Sequence, residues 1–240
     1  MNSTGAHRLP GDPITDRHNR RGFLRATAAT VLAVAGGTGL TGCGAQPSQG
    51  TAGTNPTATP SPAGTGPRPR VLLAYFSRAG ENYHYGGRKQ LRVGNTEVLA
   101  GLISERIACD VHRIEAAEPY SDDYDDARAR NVREQDADAR PALAGPVPAI
   151  DGYDVVLLGS GIWNVRPPMI MRTLAESLDF TGKTVLPVVT YAVSGLGAAP
   201  EEYADACPGA TIGDGLAVRG EEVRQASAAV QSWLRRAGLR

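Results

Sequence analysis

After residue 70 the chain carries a series of short, wholly apolar runs that begin and end abruptly. Val71–Phe76 is the first, and Asp154–Leu158 and Thr184–Val189 repeat its pattern. An unbroken apolar run of this length predicts a strand covered on both faces, the position of a parallel strand between layers of helix. Val111–Glu115 alternates apolar and polar positions and predicts an edge strand, and Leu216–Val218 predicts a short final one. Helical spacing fills the gaps. Val98, Leu99, Leu102, Ile103 and Ile107 fall on one stripe, and Val223, Ala226, Val230, Trp233 and Leu234 on another.

Strands alternating with helices read as right-handed βαβ units. The predicted fold class is α/β, a doubly wound five-stranded parallel sheet in the order 2-1-3-4-5, with a ligand cleft where strands 1 and 3 diverge. Asp122 to Asp138 is a strongly charged helical segment with few apolar anchors, and Pro141 to Ile150 reads as a long surface connection. Both are expected to cover one face or edge of the sheet. Pro187 conflicts with this picture, because it removes a backbone donor from a strand placed centrally. A stretch where that strand is paired on one side alone would resolve the conflict.

The first 70 residues do not follow this pattern. Asn19, Arg20, Arg21, Gly22, Phe23, Leu24 and Arg25 resemble a twin-arginine export signal, and Ala26–Leu40 is an apolar stretch too short to span a bilayer comfortably. Leu40, Thr41, Gly42 and Cys43 resemble a lipobox, which implies acylation of Cys43 and cleavage before it. Residues 44–70 are dominated by Gly, Pro, Ser, Thr and Ala without apolar periodicity, the composition of a flexible stalk. The predicted organisation is therefore a signal region over 1–43, a disordered linker over 44–70 and a folded domain over 71–240. The protein is expected to be exported folded by the twin-arginine route and lipid-anchored through Cys43 on the outer face of the cytoplasmic membrane.

The whole 240-residue chain has 25 basic and 25 acidic residues, but the leader distorts that balance. From Cys43 onward there are 20 Lys and Arg against 23 Asp and Glu, a net of −3. This mild acidity argues against a nucleic-acid partner and against strong electrostatic steering. Besides Cys43 only Cys109 and Cys207 are present, with no spacing suited to a metal. Near strands 2 and 5 they would lie about 19 Å apart, four inter-strand steps, beyond disulfide reach.

Three loops leave the predicted strands at one end. Tyr75, Phe76, Ser77, Arg78, Ala79 and Gly80 follow the first strand, Gly159, Ser160, Gly161, Ile162, Trp163 and Asn164 the third, and Thr190, Tyr191, Ala192, Val193, Ser194, Gly195, Leu196 and Gly197 the fourth. In this order they resemble the FMN-binding loops of the flavodoxin family, over the span from Val71 to the C-terminus. In that family the first loop wraps the phosphate at a helix N-terminus, where unpaired amides and the helix dipole meet an anion. Here the motif is split by an insertion, Glu81 to Val93, and resumes as Gly94, Asn95 and Thr96 where the helical stripe begins. An alternative alignment ends the motif at Gly80, Glu81 and Asn82, but it places a carboxylate beside phosphate and starts no helix.

The resemblance implies FMN as cofactor. Ser77, Arg78, Ala79, Asn95 and Thr96 fall on the phosphate loop, with Ala79 standing where the family commonly has a hydroxyl. Gly161, Ile162 and Trp163 fall on the ring-flanking loop, although the leading proline and second tryptophan of many relatives are missing. Tyr191, Ser194, Gly195 and Gly197 fall where backbone amides approach the ring's pyrimidine edge and tune its potential. A core tryptophan is the alternative reading of Trp163, but its loop position between polar-rich turns favours exposure at the cleft. The insertion, with Tyr83, Tyr85, Arg88, Lys89 and Arg92, reads either as a lid over the cofactor or as a solvated hairpin turning at Gly86 and Gly87.

Other chemistries lack their residues. No cysteine lies in the first loop for a phosphatase, no Gly-x-Ser-x-Gly elbow surrounds Ser77, and no Gly-x-Gly-x-x-Gly fingerprint is present. No side chain is assigned a catalytic role, and three functions follow from the sequence. The first is an electron carrier for an unidentified extracytoplasmic redox partner or small-molecule acceptor. The second is an NAD(P)H-dependent FMN oxidoreductase acting on quinone-type acceptors, and the third a flavin-free binding lipoprotein of the same fold.

Overall fold

The computed structural model describes residues 68–240. The predicted export signal, Cys43 and most of the predicted linker lie outside the described residues. Eight strands and five α-helices follow in chain order: β1 Val71–Phe76, β2 Gly80–His84, β3 Gly87–Leu91, α1 Asn95–Ser104, β4 Asp110–Ile114, α2 Tyr124–Asp136, β5 Val155–Gly161, α3 Met169–Glu176, β6 Thr184–Tyr191, α4 Ala199–Ala206, β7 Thr211–Ile212, β8 Leu216–Arg219 and α5 Ser227–Arg236. A 3-10 helix, Gly220–Gln225, precedes α5.

The main sheet is parallel and runs β4-β1-β5-β6, with the last position shared by β7 and β8. In order of position this is the predicted 2-1-3-4-5 sheet, its outermost strand broken in two. The break accounts for Pro187. β7 pairs with Thr184 and Val185, and β8 with Val188 to Tyr191, so Leu186 and Pro187 face a gap. The Val185 carbonyl accepts from Gly213 N–H at 3.0 Å on that side. Pro187, two residues on, turns its missing donor the same way, to the place where no acceptor is offered.

Alternation along the strands divides the core into two layers. Leu73, Tyr75, Leu157 and Val188 face α1 and α5, meeting Leu99, Ile103, Val230 and Trp233. Leu72, Ala74, Leu158 and Val189 face α3 and α4, meeting Ile170, Leu174 and Tyr203. The central strands β1, β5 and β6 are therefore apolar on both faces along most of their length, as a parallel strand between two helical layers requires. Cys109, just before β4, and Cys207, just after α4, are free thiols, and burial pushes the Cys207 thiol up to about 12.

An arginine network ties the helices of the second layer. Arg140 bonds Glu176 and Asp138, while Arg172 bonds Glu176 at 2.7 Å, Glu202 at 3.3 Å and also Asp205. The bond from Arg140, then that from Arg172, holds the Glu176 carboxyl down at about 2. A folded-state value below the usual carboxylate range of about 4.3 stabilises the fold above that range and loses its effect as pH falls toward 2. The pair is partly solvated, which limits its worth. Arg140→Gln is expected to lower the melting temperature slightly at pH 7 and to flatten its decline between about pH 5 and 2, so that the two proteins converge in acid; an identical acid limb in both proteins would contradict this.

Candidate functional site

The carboxyl ends of β1, β5 and β6 open into a cleft of about 290 Å³. Its floor is made where β1 meets α1. Ser77, the residue after β1, is buried, and its Oγ accepts the Glu97 N–H at 3.1 Å. Gly94 offers α1 no side-chain cap, and the first intrahelical bond runs from Val98 N–H to Gly94 O. The amides of Asn95 and Thr96 are thus without a partner among the described residues, at the end of the helix where the dipole is positive. Gly94 permits this approach, since a Cβ there would lie 2.5 Å from the Arg78 carbonyl oxygen and closer still to Ser77 Oγ. Thr96 and Thr190, the latter from β6, are both buried and share a hydroxyl–hydroxyl bond of 2.9 Å.

Trp163 stands on the loop after β5 and combines the two roles its sequence position left open. Its ring packs edge-on against Tyr120, at 5.2 Å, and Phe76, at 5.7 Å, yet it also lines the cleft. The loop beyond it is strained: Asn164 and Val165 have φ of +51° and +71°. For a β-branched residue this is a rarely occupied region that costs on the order of 1–3 kcal/mol, kept where surroundings over-determine it. Trp163 N–H to Arg166 O and Ala198 N–H to Val165 O, both 2.8 Å, hold it. Gly197, at φ +55°, has no room for a Cβ against the Val165 carbonyl oxygen.

The predicted site residues therefore separate into two groups. Ser77, Arg78, Asn95, Thr96, Gly161, Ile162, Trp163 and Tyr191 line the cleft together. Ala79, Ser194, Gly195 and Gly197 lie outside its lining, and Gly197 seats the β6–α4 loop against the β5 loop. Arg78 borders the cleft, but its guanidinium turns to the chain before α2. It donates to the carbonyls of Ser121 at 2.9 Å and Asp122 at 3.1 Å, and to that of Glu81. Burial lowers its basicity. It acts as a clamp between the β1 loop and the α2 entry.

Residues of the charged segment 122–138 complete the wall. Tyr124, Ala127, Arg128 and Asn131 of α2 face the cleft, and Asn131 is 1% exposed. Gln135 fixes the helix to the ring-side loop, donating to the Trp163 carbonyl at 3.0 Å and accepting from Asn164 Nδ2 at 2.9 Å. Behind this wall Tyr120 donates to Glu134 at 2.7 Å, and burial with that bond raises its hydroxyl well above the usual range. The i, i+3, i+4, i+7 spacing of the four cleft residues was the available signal. A polar stripe leaves no mark on hydrophobic periodicity.

The insertion forms a separate antiparallel hairpin, β2–β3, turning at Tyr85 and Gly86. Asn82 and Tyr83 line the cleft. The Tyr85 N–H donates to Glu221 at 3.0 Å, and Arg88 lies 3.7 Å over the Tyr124 ring beside Asp125. Gly220 and Glu221, after β8, close the remaining side. Gly80 to Asn82 lie in β2, so that stretch begins no helix. Among the described residues no cluster of His, Cys, Asp and Glu has the geometry of a metal site.

A flavodoxin sequence model matches residues 70–237, and the chain belongs to the flavodoxin family. Two solved structures of proteins provisionally assigned as flavoproteins are similar. One, from Bacteroides uniformis, is 28% identical with a TM-score of 0.55, over 70% of this chain and 99% of that one. The other, from Bacteroides eggerthii, is 26% identical with a TM-score of 0.58, over 72% and 99%. A flavoprotein from Lactobacillus acidophilus in complex with FMN shares the fold at 17% identity and a TM-score of 0.50, over 65% and 97%. Comparison with curated proteins gave no match.

Proposed function

We propose that the protein binds FMN noncovalently in this cleft and transfers electrons through it, on the outer side of a membrane to which Cys43 tethers it. The observation that carries the reading is the α1 N-terminus: two unpartnered amides and a buried hydroxyl pair beside a glycine cradle too tight for any side chain. This donor set fits a phosphate without a metal. Trp163, Ile162 and Tyr191 supply apolar and aromatic surface for a flat ring, and Asn95 and the Tyr191–Ala192 backbone supply polar contacts. FMN supplies the one- and two-electron chemistry when bound. The chain's own residues hold it, exclude water from one side, and present it at the rim where Val165 and Val193 are 58% and 78% exposed. Family membership and the FMN complex of the Lactobacillus acidophilus relative support the cofactor.

Export and tethering rest on the twin-arginine and lipobox resemblances, which agree with a cofactor loaded before export. Protein purified folded from the cytoplasm is expected to be yellow, with flavin absorbance near one equivalent released as FMN on denaturation. Colourless protein that takes up no FMN on addition would refute the cofactor. In an exporting host Cys43→Ala is expected to move the protein from the membrane fraction to the soluble one; an unchanged distribution would refute the anchor.

A further inference from the structure

Among the cleft walls outside the three loops of the flavodoxin pattern is the segment after β8. Glu221 stands there as an uncompensated acid. Its Oε1 accepts the Tyr85 N–H from the hairpin, whereas its Oε2 is buried and has no hydrogen-bond partner among the described residues. No described Lys, Arg or His forms an ion pair with it, since Arg219 is directed to Glu222 at 4.0 Å. A buried carboxylate oxygen is an acceptor with lone pairs to fill, and leaving it unfilled is costly. Glu221 borders two depressions, and the cleft at the strand ends is the more enclosed of them and the one through which a bound ligand can bring a donor.

Charge decides what the donor is. The segment bearing Glu221 approaches the phosphate end of the cleft, because a Cβ on the adjoining Gly220 would lie 2.6 Å from Asn95 Nδ2. A carboxylate repels a phosphate but accepts from a neutral hydroxyl. The α1 amides and Glu221 therefore divide an elongated ligand between them, the anion on the amides and a hydroxyl-bearing portion on the acid. On the FMN reading, on which this inference rests, the portion joining phosphate to ring is the ribityl chain with its three hydroxyls.

We infer that Glu221 is a specificity-determining residue that accepts a hydrogen bond from a ribityl hydroxyl through Oε2, and that the same carboxylate, through Oε1 and Tyr85, draws the hairpin onto an occupied cleft. The site selects a flavin with a polyol chain over one with a plain alkyl chain, although neither the ring nor the phosphate differs.

The test pairs FMN with its N10-(5-phosphopentyl) analogue, which keeps ring and phosphate and lacks the hydroxyls, in titrations followed by flavin fluorescence. Glu221→Leu is expected to weaken FMN binding tenfold or more, the scale of a hydrogen bond to a charged group. The same variant is expected to change binding of the analogue by less than about threefold, and Glu221→Gln, which keeps an acceptor, to recover most of the FMN affinity. Amide exchange at Tyr85 is expected to slow when FMN binds the wild type and not when the analogue binds. Equal losses for both ligands would reduce Glu221 to a hairpin support and overturn the inference, as would an unaltered affinity for FMN. Wild-type protein that binds neither ligand would overturn the flavin assignment itself, a result distinct from either.

Discussion

Replacing Gly94 by alanine is expected to weaken FMN binding by a factor of about 100 or more while leaving the sheet folded. The added methyl would sit 2.5 Å from the Arg78 carbonyl oxygen and within contact of Ser77 Oγ, both belonging to the loop that must lie against α1. Neither is the end of a long side chain that can swing aside, so α1 must retreat from β1. The retreat breaks the Ser77 Oγ bond to the Glu97 amide and moves the Asn95 and Thr96 amides off their common target. Two charge-assisted bonds at about 1.5–3 kcal/mol each account for the factor. Fluorescence titration gives the affinity and far-UV circular dichroism the fold. Affinity within threefold of wild type would show that the cradle is not where the phosphate binds.

Trp233→Ala is expected to have the largest effect on stability. The side chain is fully buried in the layer between the sheet and the α1–α5 pair, and its Nε1 donates to the Asp214 carbonyl at 2.9 Å. Removing a ring of this size costs about 3–5 kcal/mol in comparable cores, against a total of roughly 5–15 kcal/mol for a domain. At about 2–4 °C per kcal/mol the melting temperature should fall by roughly 6–20 °C. Because α1 rests on this layer, the change also loosens the floor of the cleft, yet below the melting transition FMN affinity should fall far less than in Gly94→Ala. A melting temperature within 3 °C of wild type would contradict the packing described here.

The sheet was legible because its chemistry is one-dimensional. β1, β5 and β6 are buried on both faces, so each is a mostly apolar run, and their order is the one the flavodoxin resemblance implies. Pro187 was legible as a conflict resolved by a stretch paired on one side alone, but the form of that gap, a strand broken between Ile212 and Leu216, was not, because β7 has two residues and no periodicity. The second helical stripe merged what are two elements, the 3-10 helix ending at Gln225 and α5 starting at Ser227. Both keep the same apolar side toward the sheet, so spacing alone does not separate them.

The cleft was legible at the strand ends and the start of α1. Ser77 and Trp163 sit on loops and Asn95 and Thr96 at the start of α1, where small residues and strand context mark them. The walls were not, because they come from elements that sequence presents as ordinary surface. Arg128 and Asn131 belong to a helix with too few apolar residues to reveal a buried face, and Glu221 is one acid among several near the C-terminus. Arg78 shows the opposite error available to sequence reasoning. It lies in the loop predicted to hold phosphate, and its guanidinium donates to three backbone carbonyls that the hairpin insertion and the α2 entry place around it.

The central claim is that one FMN occupies the cleft at the ends of β1, β5 and β6. Titration of the folded, flavin-stripped protein with FMN, followed by quenching of flavin fluorescence, tests it most directly. The account predicts saturable quenching at one FMN per chain, shifted to much higher FMN concentration in Gly94→Ala; a fluorescence signal that stays equal to that of free FMN at every ratio would contradict it.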